Sequence, residues 1–329
     1  MSEVHKFIFD GLPVRGIVVR LTDAWTEILR RRASNSQTGA YPAPVQQLLG
    51  ELLAAATLMQ SNIKFDGALV MQIFGDGPVK LAVAEVQPDL SLRATATVVG
   101  DVAAATGFSA MVNVANLGRC AITLDPKSRF PGQQPYHGVV PLFGDRGEKL
   151  EKLSQVLQHY MLQSEQLDTT LVLAANEQVA AGLLIQRLPL QGAGNLQGGE
   201  RQMANEDEIG LNEHYNRIAM LAASLKREEL LTLDVATLLR RLFWDESLSR
   251  FEPAAGDTGP RFACTCNRDK VGAMIVSLGA PEAQSIVQEQ GQIEVGCEFC
   301  GVQYRFDPID AEQLFKPASV RPAGSVRAQ

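Results

Sequence analysis

The sequence predicts an α+β protein: an N-terminal mixed domain with a largely antiparallel sheet and packed helices, then a helical linker, then a small C-terminal module built on cysteines. Three observations predict it. Strand-like apolar segments follow one another across short turns while helical periodicities stand apart from them, which is the pattern of an α+β chain rather than of alternating βαβ units. A Gly-, Gln- and Asn-rich stretch without apolar periodicity (QGAGNLQGGERQMANEDE) interrupts the chain after about residue 190. Four of the five cysteines then crowd near the C-terminus, as Cys264-Thr265-Cys266 and, thirty residues later, Cys297-Glu298-Phe299-Cys300.

The elements follow in order. Phe7–Asp10 and Val14–Leu21 read as strands around the turn Gly11-Leu12-Pro13. Thr22-Asp23 offers a cap for a helix to about Arg32, with Trp25, Ile28 and Leu29 at helical spacing. Pro44 begins a second helix carrying Val45, Leu48, Leu49, Leu52, Leu53 and Ala56, apolar on much of its surface and so expected to pack on a sheet. Leu69–Phe74 and Val79–Val86 flank Gly75-Asp76-Gly77-Pro78, a hairpin signal, and Leu92–Val99 extends the pair into a meander. Further strands are expected at Arg119–Leu124 and Tyr136–Pro141, an amphipathic helix at Glu148–Ser164, and two more strands at Thr169–Ala174 and Val179–Gln186. These complete a domain over residues 1–190.

Residues 191–260 combine the flexible stretch with short helices at Ile209–Leu225, Glu228–Leu233 and Val235–Trp244, dense in leucine yet with an excess of acidic residues. Such a segment cannot build a core by itself; it needs a docking surface and has low stability without one. Pro253-Ala254-Ala255-Gly256-Asp257-Thr258-Gly259-Pro260 marks a boundary. The cysteine module spans 261–316, with helices at Asp269–Leu278, Pro281–Gln290 and Ile309–Phe315 and a small hairpin of Gln292–Val295 and Gln303–Phe306 around the CxxC. Residues 317–329 read as a disordered tail.

Composition bounds the function. The chain has 329 residues, 46% of them hydrophobic and 20% charged, enough for about two domains with a sizeable core. No stretch approaches about 20 unbroken apolar residues, so no membrane partner is expected, and the N-terminus lacks a signal-peptide pattern. Both point to the cytoplasm, where clustered cysteines serve as metal ligands or redox sensors rather than permanent disulfides. The net charge of −7 argues against a general nucleic-acid binder. No phosphate-binding GxxxxGK[ST] loop and no catalytic constellation are read, so the chain is expected to bind rather than catalyse.

The CxC and CxxC supply four thiolates that one tetrahedral ion can gather, and the same spacing allows each pair to close into a local disulfide. None of the four histidines (His5, His137, His159, His214) lies in the module, so Cys264, Cys266, Cys297 and Cys300 form the simplest ligand set, for one Zn2+ per chain. A zinc-binding module of this size has too little core to stand confidently alone, so metal and fold are expected to be one cooperative object. A permanently structural site is one reading. The CxC half favours a switchable one, because its disulfide closes a very small, strained and easily reduced ring. Arg261, Arg268, Lys270 and Arg305 lie close in sequence, either as counter-charges to the thiolates or as solvated surface. Cys120 stands alone in a strand and reads as a small buried hydrophobe. Asp76-Gly77 reads as a turn only. Two rival functions remain at this point: a zinc-ribbon nucleic-acid binder, and a thiol–disulfide oxidoreductase acting through the CxxC, which lacks thioredoxin-like βαβ context.

The module, taken with Tyr136-His137-Gly138-Val139-Val140-Pro141-Leu142, Tyr160–Gln166 with its Ser164-Glu165-Gln166, Val179–Gln186 followed by Leu188-Pro189, and Leu230–Leu242, resembles the 33 kDa chaperonin family of redox-regulated heat-shock holdases over nearly the whole chain. The resemblance implies a reduced, zinc-bound, inactive monomer. Oxidation would link Cys264 with Cys266 and Cys297 with Cys300 and release zinc; module and linker would unfold, homodimers form, and unfolding client proteins be held without ATP. Leu230, Leu231, Leu238, Leu242, Phe243 and Trp244 are the candidate client-binding residues, compatible with a core role when the linker is docked.

Overall fold

A 20-residue helix that is apolar on nearly every side organises the N-terminal part of the chain. In the computed structural model, which describes residues 1–35, 39–128, 134–188 and 206–316, the chain divides into two compact units, one from Met1 to Ala263 and one beginning at Cys264. The first unit opens with β1 (Glu3–Phe9), β2 (Val14–Leu21), α1 (Asp23–Ala33) and α2 (Ala43–Asn62), the long helix. There follow β3 (Gly67–Phe74), β4 (Val79–Val86), β5 (Ser91–Val98), α3 (Phe108–Val112), β6 (Arg119–Pro126), β7 (Tyr136–Pro141), α4 (Leu153–Gln163), β8 (Thr169–Ala175) and β9 (Ala180–Arg187). Then come α5 (Glu206–Ala223), α6 (Arg227–Thr232), α7 (Val235–Leu242), β10 (Leu248–Arg250), β11 (Ala254–Ala255) and β12 (Arg261–Phe262). The second unit holds α8 (Arg268–Leu278), α9 (Ala280–Gln290), β13 (Ile293–Gly296), β14 (Gln303–Phe306) and α10 (Pro308–Leu314). The stretch 190–205 and the tail 317–329 lie outside the described residues. Among those described, no helix is long and apolar enough to cross a membrane.

The largely antiparallel sheet expected for the first unit is divided into two sheets. One runs β10-β1-β2-β9-β8, with β11 also on β1; the other runs β12-β5-β4-β3-β6-β7. Every pairing is antiparallel except that of β12 with β5. The reason lies in α2. Val45, Leu48, Leu49, Leu52, Leu53, Ala55, Ala56 and Leu58 are all fully buried and face different sides of the helix. A helix apolar all round must be covered all round. It packs on β2, β8 and β9 of one sheet and on β3, β4 and β5 of the other.

The first sheet is covered on its second face too. Along β2, Ile17, Val19 and Leu21 join the core around α2, whereas Val14 and Val18 join a separate cluster. That cluster contains Phe7, Phe9, Ala181, Leu183 and Ile185 from the sheet, and Ile218, Leu225, Leu230, Leu231, Leu238, Leu242 and Phe243 from the helical segment. Burial on both faces explains why β9 (AAGLLIQR) is a continuous apolar run instead of an alternating one. Gly16 has no substitute here: a Cβ at that position would come within 2.1 Å of the Phe7 ring, which lies across the strand.

Other differences from expectation have local causes. The strand expected at Phe7 begins at Glu3, because Glu3–Ile8 pair continuously with Arg20–Arg15. The helix expected from Glu148 begins at Leu153: Lys149 first bridges Phe143, and the Gln155 side chain accepts the Glu151 and Lys152 N–H groups at 3.0 and 3.1 Å. The stretch taken as a boundary is structured. Ala254 and Ala255 pair with Val4 and Glu3, and Arg261 and Phe262 run beside Ser91 and Leu92, so the break between units falls after Ala263. The second unit has its own small core of Ile275, Ala283, Ile293, Phe306 and Ala311.

Candidate metal centre and the docked linker

The two halves of the cysteine cluster are built by different local devices. Cys264 and Cys266 precede α8, whose N-cap Asn267 accepts the Lys270 N–H at 2.8 Å. Lys270 Nζ donates to the Thr265 carbonyl at 2.8 Å and fixes the middle of the CxC. Cys297 and Cys300 sit in the turn between β13 and β14. The Cys297 N–H donates to the Val302 carbonyl at 2.9 Å, the Gly301 N–H to the Cys297 carbonyl at 2.8 Å, and Gly301 has the positive φ of +75° that closes the turn.

These devices bring all four Sγ atoms within 4.8 Å of one another. Cys264 and Cys297 approach to 3.7 Å, Cys266 and Cys300 to 3.4 Å, and none of the four is in a disulfide. A tetrahedral ion with Zn–S bonds of about 2.3 Å places its sulfurs about 3.8 Å apart. The residues therefore fit a zinc-sized ion, and an all-thiolate donor set suits a soft metal and no hard one. Backbone N–H groups of Cys300 and Phe299 serve the Cys297 sulfur, and that of Val302 serves Cys300. The Tyr304 hydroxyl donates to Cys266 Sγ at 3.1 Å. Such donors stabilise thiolate, yet burial pushes the Cys297 thiol up, with the Cys264 charge adding to it, and burial with the neighbouring Cys266 and Cys297 pushes Cys300 up further. A cation in their midst reverses that balance, so metal binding must displace protons.

Of the four basic residues considered as counter-charges, Lys270 stays at the CxC through the Thr265 carbonyl, and the other three are engaged elsewhere. Arg268 bonds the Arg305 carbonyl and Asp310 and lies over the Phe306 ring, Arg305 pairs with Glu294, and Arg261 pairs with Asp89. Cys120 is wholly buried in β6, and burial lifts its thiol to about 12, so it is inert. Asp76 does more than turn the chain. Burial works against its ionisation, but the N–H groups of Leu117, Ala115 and Val114 all donate to its carboxylate and hold it below its ordinary value.

Of the six candidate client-binding residues, five are buried against the first sheet: Leu230, Leu231, Leu238, Leu242 and Phe243. Phe243 meets Phe9 edge-on, with ring centroids 5.1 Å apart, and lies 6.2 Å from Phe7. Trp244 departs from the set. The helix stops at Leu242, and Trp244 is 77% exposed. Sequence reasoning missed Arg20. It donates to the carbonyls of Leu231 at 2.8 Å and of Leu230 and Leu233 at 3.2 Å, bonds that leave no side-chain pattern to read.

The sequence profile described as Hsp33 protein matches residues 2–307. A protein of Chromobacterium violaceum named 33 kDa chaperonin is 40% identical over 314 residues, covering 95% of this chain and 94% of its own. A 33 kDa chaperonin of Methylobacillus flagellatus is 38% identical over 327 residues, covering 99% and 98%. The crystal structure of a 33 kDa chaperonin (heat shock protein 33 homolog) from Thermotoga maritima superposes with a TM-score of 0.68 at 19% identity, covering 95% of this chain and 98% of the other, which is a likeness of fold.

Proposed function

The chain belongs to the Hsp33 family of chaperones, and from that premise we propose that it is a redox-regulated, ATP-independent holdase of the cytoplasm, silent when reduced and metal-bound. The observation that carries the reading is the gathering of Cys264, Cys266, Cys297 and Cys300, none of them in a disulfide, at the spacing of one tetrahedral ion. When bound, zinc holds the four sulfurs as thiolates and ties the CxC to the β13–β14 turn, and thiolate is the form that oxidants attack.

Oxidation removes the ligand set. In net terms each local pair of thiolates loses two electrons: an S–S bond forms in Cys264–Cys266 and another in Cys297–Cys300, and for each one hydrogen peroxide breaks its O–O bond, takes two protons from solvent and leaves as two waters. Local disulfides hold neither half to the other, so the second unit keeps only its small core. The docked helices α5–α7 precede it in the chain, with the short strands β10, β11 and β12 between. Their release would expose Leu230, Leu231, Leu238, Leu242 and Phe243 together with Phe7, Phe9, Val18, Leu183 and Ile185, a sticky surface suited to unfolding clients and to pairing of two chains. Reduced monomer and oxidised dimer are the expected states.

The test is to treat the reduced, zinc-loaded protein with peroxide at raised temperature. Loss of one zinc per chain, two new disulfides and suppression of light scattering by a denatured client are expected together. A reduced protein without zinc, or holdase activity indifferent to redox state, would refute the reading.

A further inference from the structure

The junction of α6 and α7 poses a problem for docking. Helix α6 ends at Thr232, and Leu233 is extended (φ −77°, ψ 147°) before Asp234 caps α7. The carbonyls of Leu230, Leu231 and Leu233 are thereby left without acceptor roles inside the helices, while Leu230 and Leu231 are pressed against the sheet. In water such carbonyls are solvated; against an apolar face each one left unpaired makes docking costlier. Arg20 resolves this. It stands on β2, on the same face as Val14 and Val18, in register with Glu3 of β1 and Ala181 of β9. Its Nη1 donates to the Leu230 and Leu233 carbonyls and its Nη2 to the Leu231 carbonyl, and among the described residues these three are the partners of its guanidinium.

We propose that Arg20 is the latch of the docked segment, a positioning residue that sets how readily α6 and α7 leave the first sheet. This rests on the reading that their release activates the chaperone. The planar fork suits three converging carbonyls in a way a lysine ammonium does not. Because the bonds run to main chain, the latch is indifferent to which apolar side chains the segment carries. It also sits at the break between α6 and α7, where no helix satisfies the backbone. A second tie runs the other way, from Arg227 of α6 to the Ala175 carbonyl, at the start of α6 and not at its open end.

The test uses the full-length, reduced, zinc-loaded protein and two variants. Arg20→Met keeps an apolar stem and removes the donors; Arg20→Lys keeps the charge and removes the fork. Hydrogen exchange of residues 226–243 should accelerate about 10- to 100-fold in Arg20→Met, the loss expected from charge-assisted hydrogen bonds, with β2 and β9 amides unchanged. Arg20→Lys should fall between this and wild type, and carries the test if Arg20→Met does not fold. Reduced Arg20→Met should also suppress client aggregation without oxidant. Exchange at 226–243 equal to wild type overturns the latch, as does protection lost equally from β2 and β9, which would mark a general structural role. Faster local exchange without any reduced-state holdase activity upholds the latch and tells against the activation reading instead.

Discussion

Removing the metal should unfold the second unit and leave the first intact. Beyond Cys264 the large buried core side chains are Ile275, Ile293 and Phe306, with Ala283 and Ala311 filling between them. Burying a side chain of that size contributes about 1.5–3 kcal/mol, so the three supply about 5–9 kcal/mol before any chain entropy opposes them. A four-thiolate zinc site contributes about 10–16 kcal/mol in small peptides at neutral pH. The metal is the larger contribution, and without it the core is too small to order α8, α9, α10 and the hairpin. Cys300→Ser is the sharpest perturbation, because Cys300 is the buried member of the four and its sulfur lies 3.4 Å from that of Cys266. Hydrogen exchange with mass spectrometry on the full chain, under reductant and chelator, is the assay. Amides of 268–314 should exchange near unfolded rates, while those of β2 and β9 keep wild-type protection. Protection retained at 268–314 in the metal-free variant would refute the reasoning, since the five-residue core would then suffice alone.

Phe243→Ala should cost docking about 3–5 kcal/mol, given a 2%-exposed ring packed edge-on against Phe9; reduced protein should then hold a denatured client, and silence in that assay counts against release as the trigger. Trp244→Ala is the control, with a stability change within about 0.5 kcal/mol in urea unfolding because the side chain is 77% exposed. Peptide mapping of the oxidised chain should find Cys264–Cys266 and Cys297–Cys300; crossed bonds would clamp the two halves together as the metal does, and would overturn activation by unclamping. Glu51 gives a pH dependence. Burial pushes its carboxyl up to about 7 from 4.5, so between those values the folded state binds more protons than the unfolded one, and stability falls as pH rises through the window. Glu51→Gln should flatten that slope and be the more stable protein above pH 7; equal slopes in thermal melts from pH 5 to 8 would refute the assignment.

What was legible in the sequence follows from where the physical partners lie. The gathering of the four cysteines was legible because ligand chemistry is written in residue type and spacing: two short loops hold two sulfurs each, and a tetrahedral ion would need four. The leucines of α6 and α7 were legible as an amphipathic set in want of a surface, and the structure seats five of the six proposed residues there. Trp244 lies outside the buried set because periodicity continues past the point where Phe243 leaves the helix at φ −122°, ψ 39°. The two-sheet arrangement was within reach, since a helix as apolar all round as α2 cannot be satisfied by one face. Strands β10, β11 and β12 are two or three residues long, too short for alternation to register. Two further illegible features share one property: they pair a side chain with main chain far away. Asp76 gathers three N–H groups from 114–117, and Arg20 gathers three carbonyls more than two hundred residues on. Nearly every residue offers such groups, so the main-chain side of the bond carries no sequence signal at all. Under the proposed activation, a segment that must leave its seat would gain from being held in that way. Main-chain bonds are made only when the local backbone has the right shape, so unwinding α6 by a turn dissolves the latch and the apolar packing together, and release becomes cooperative.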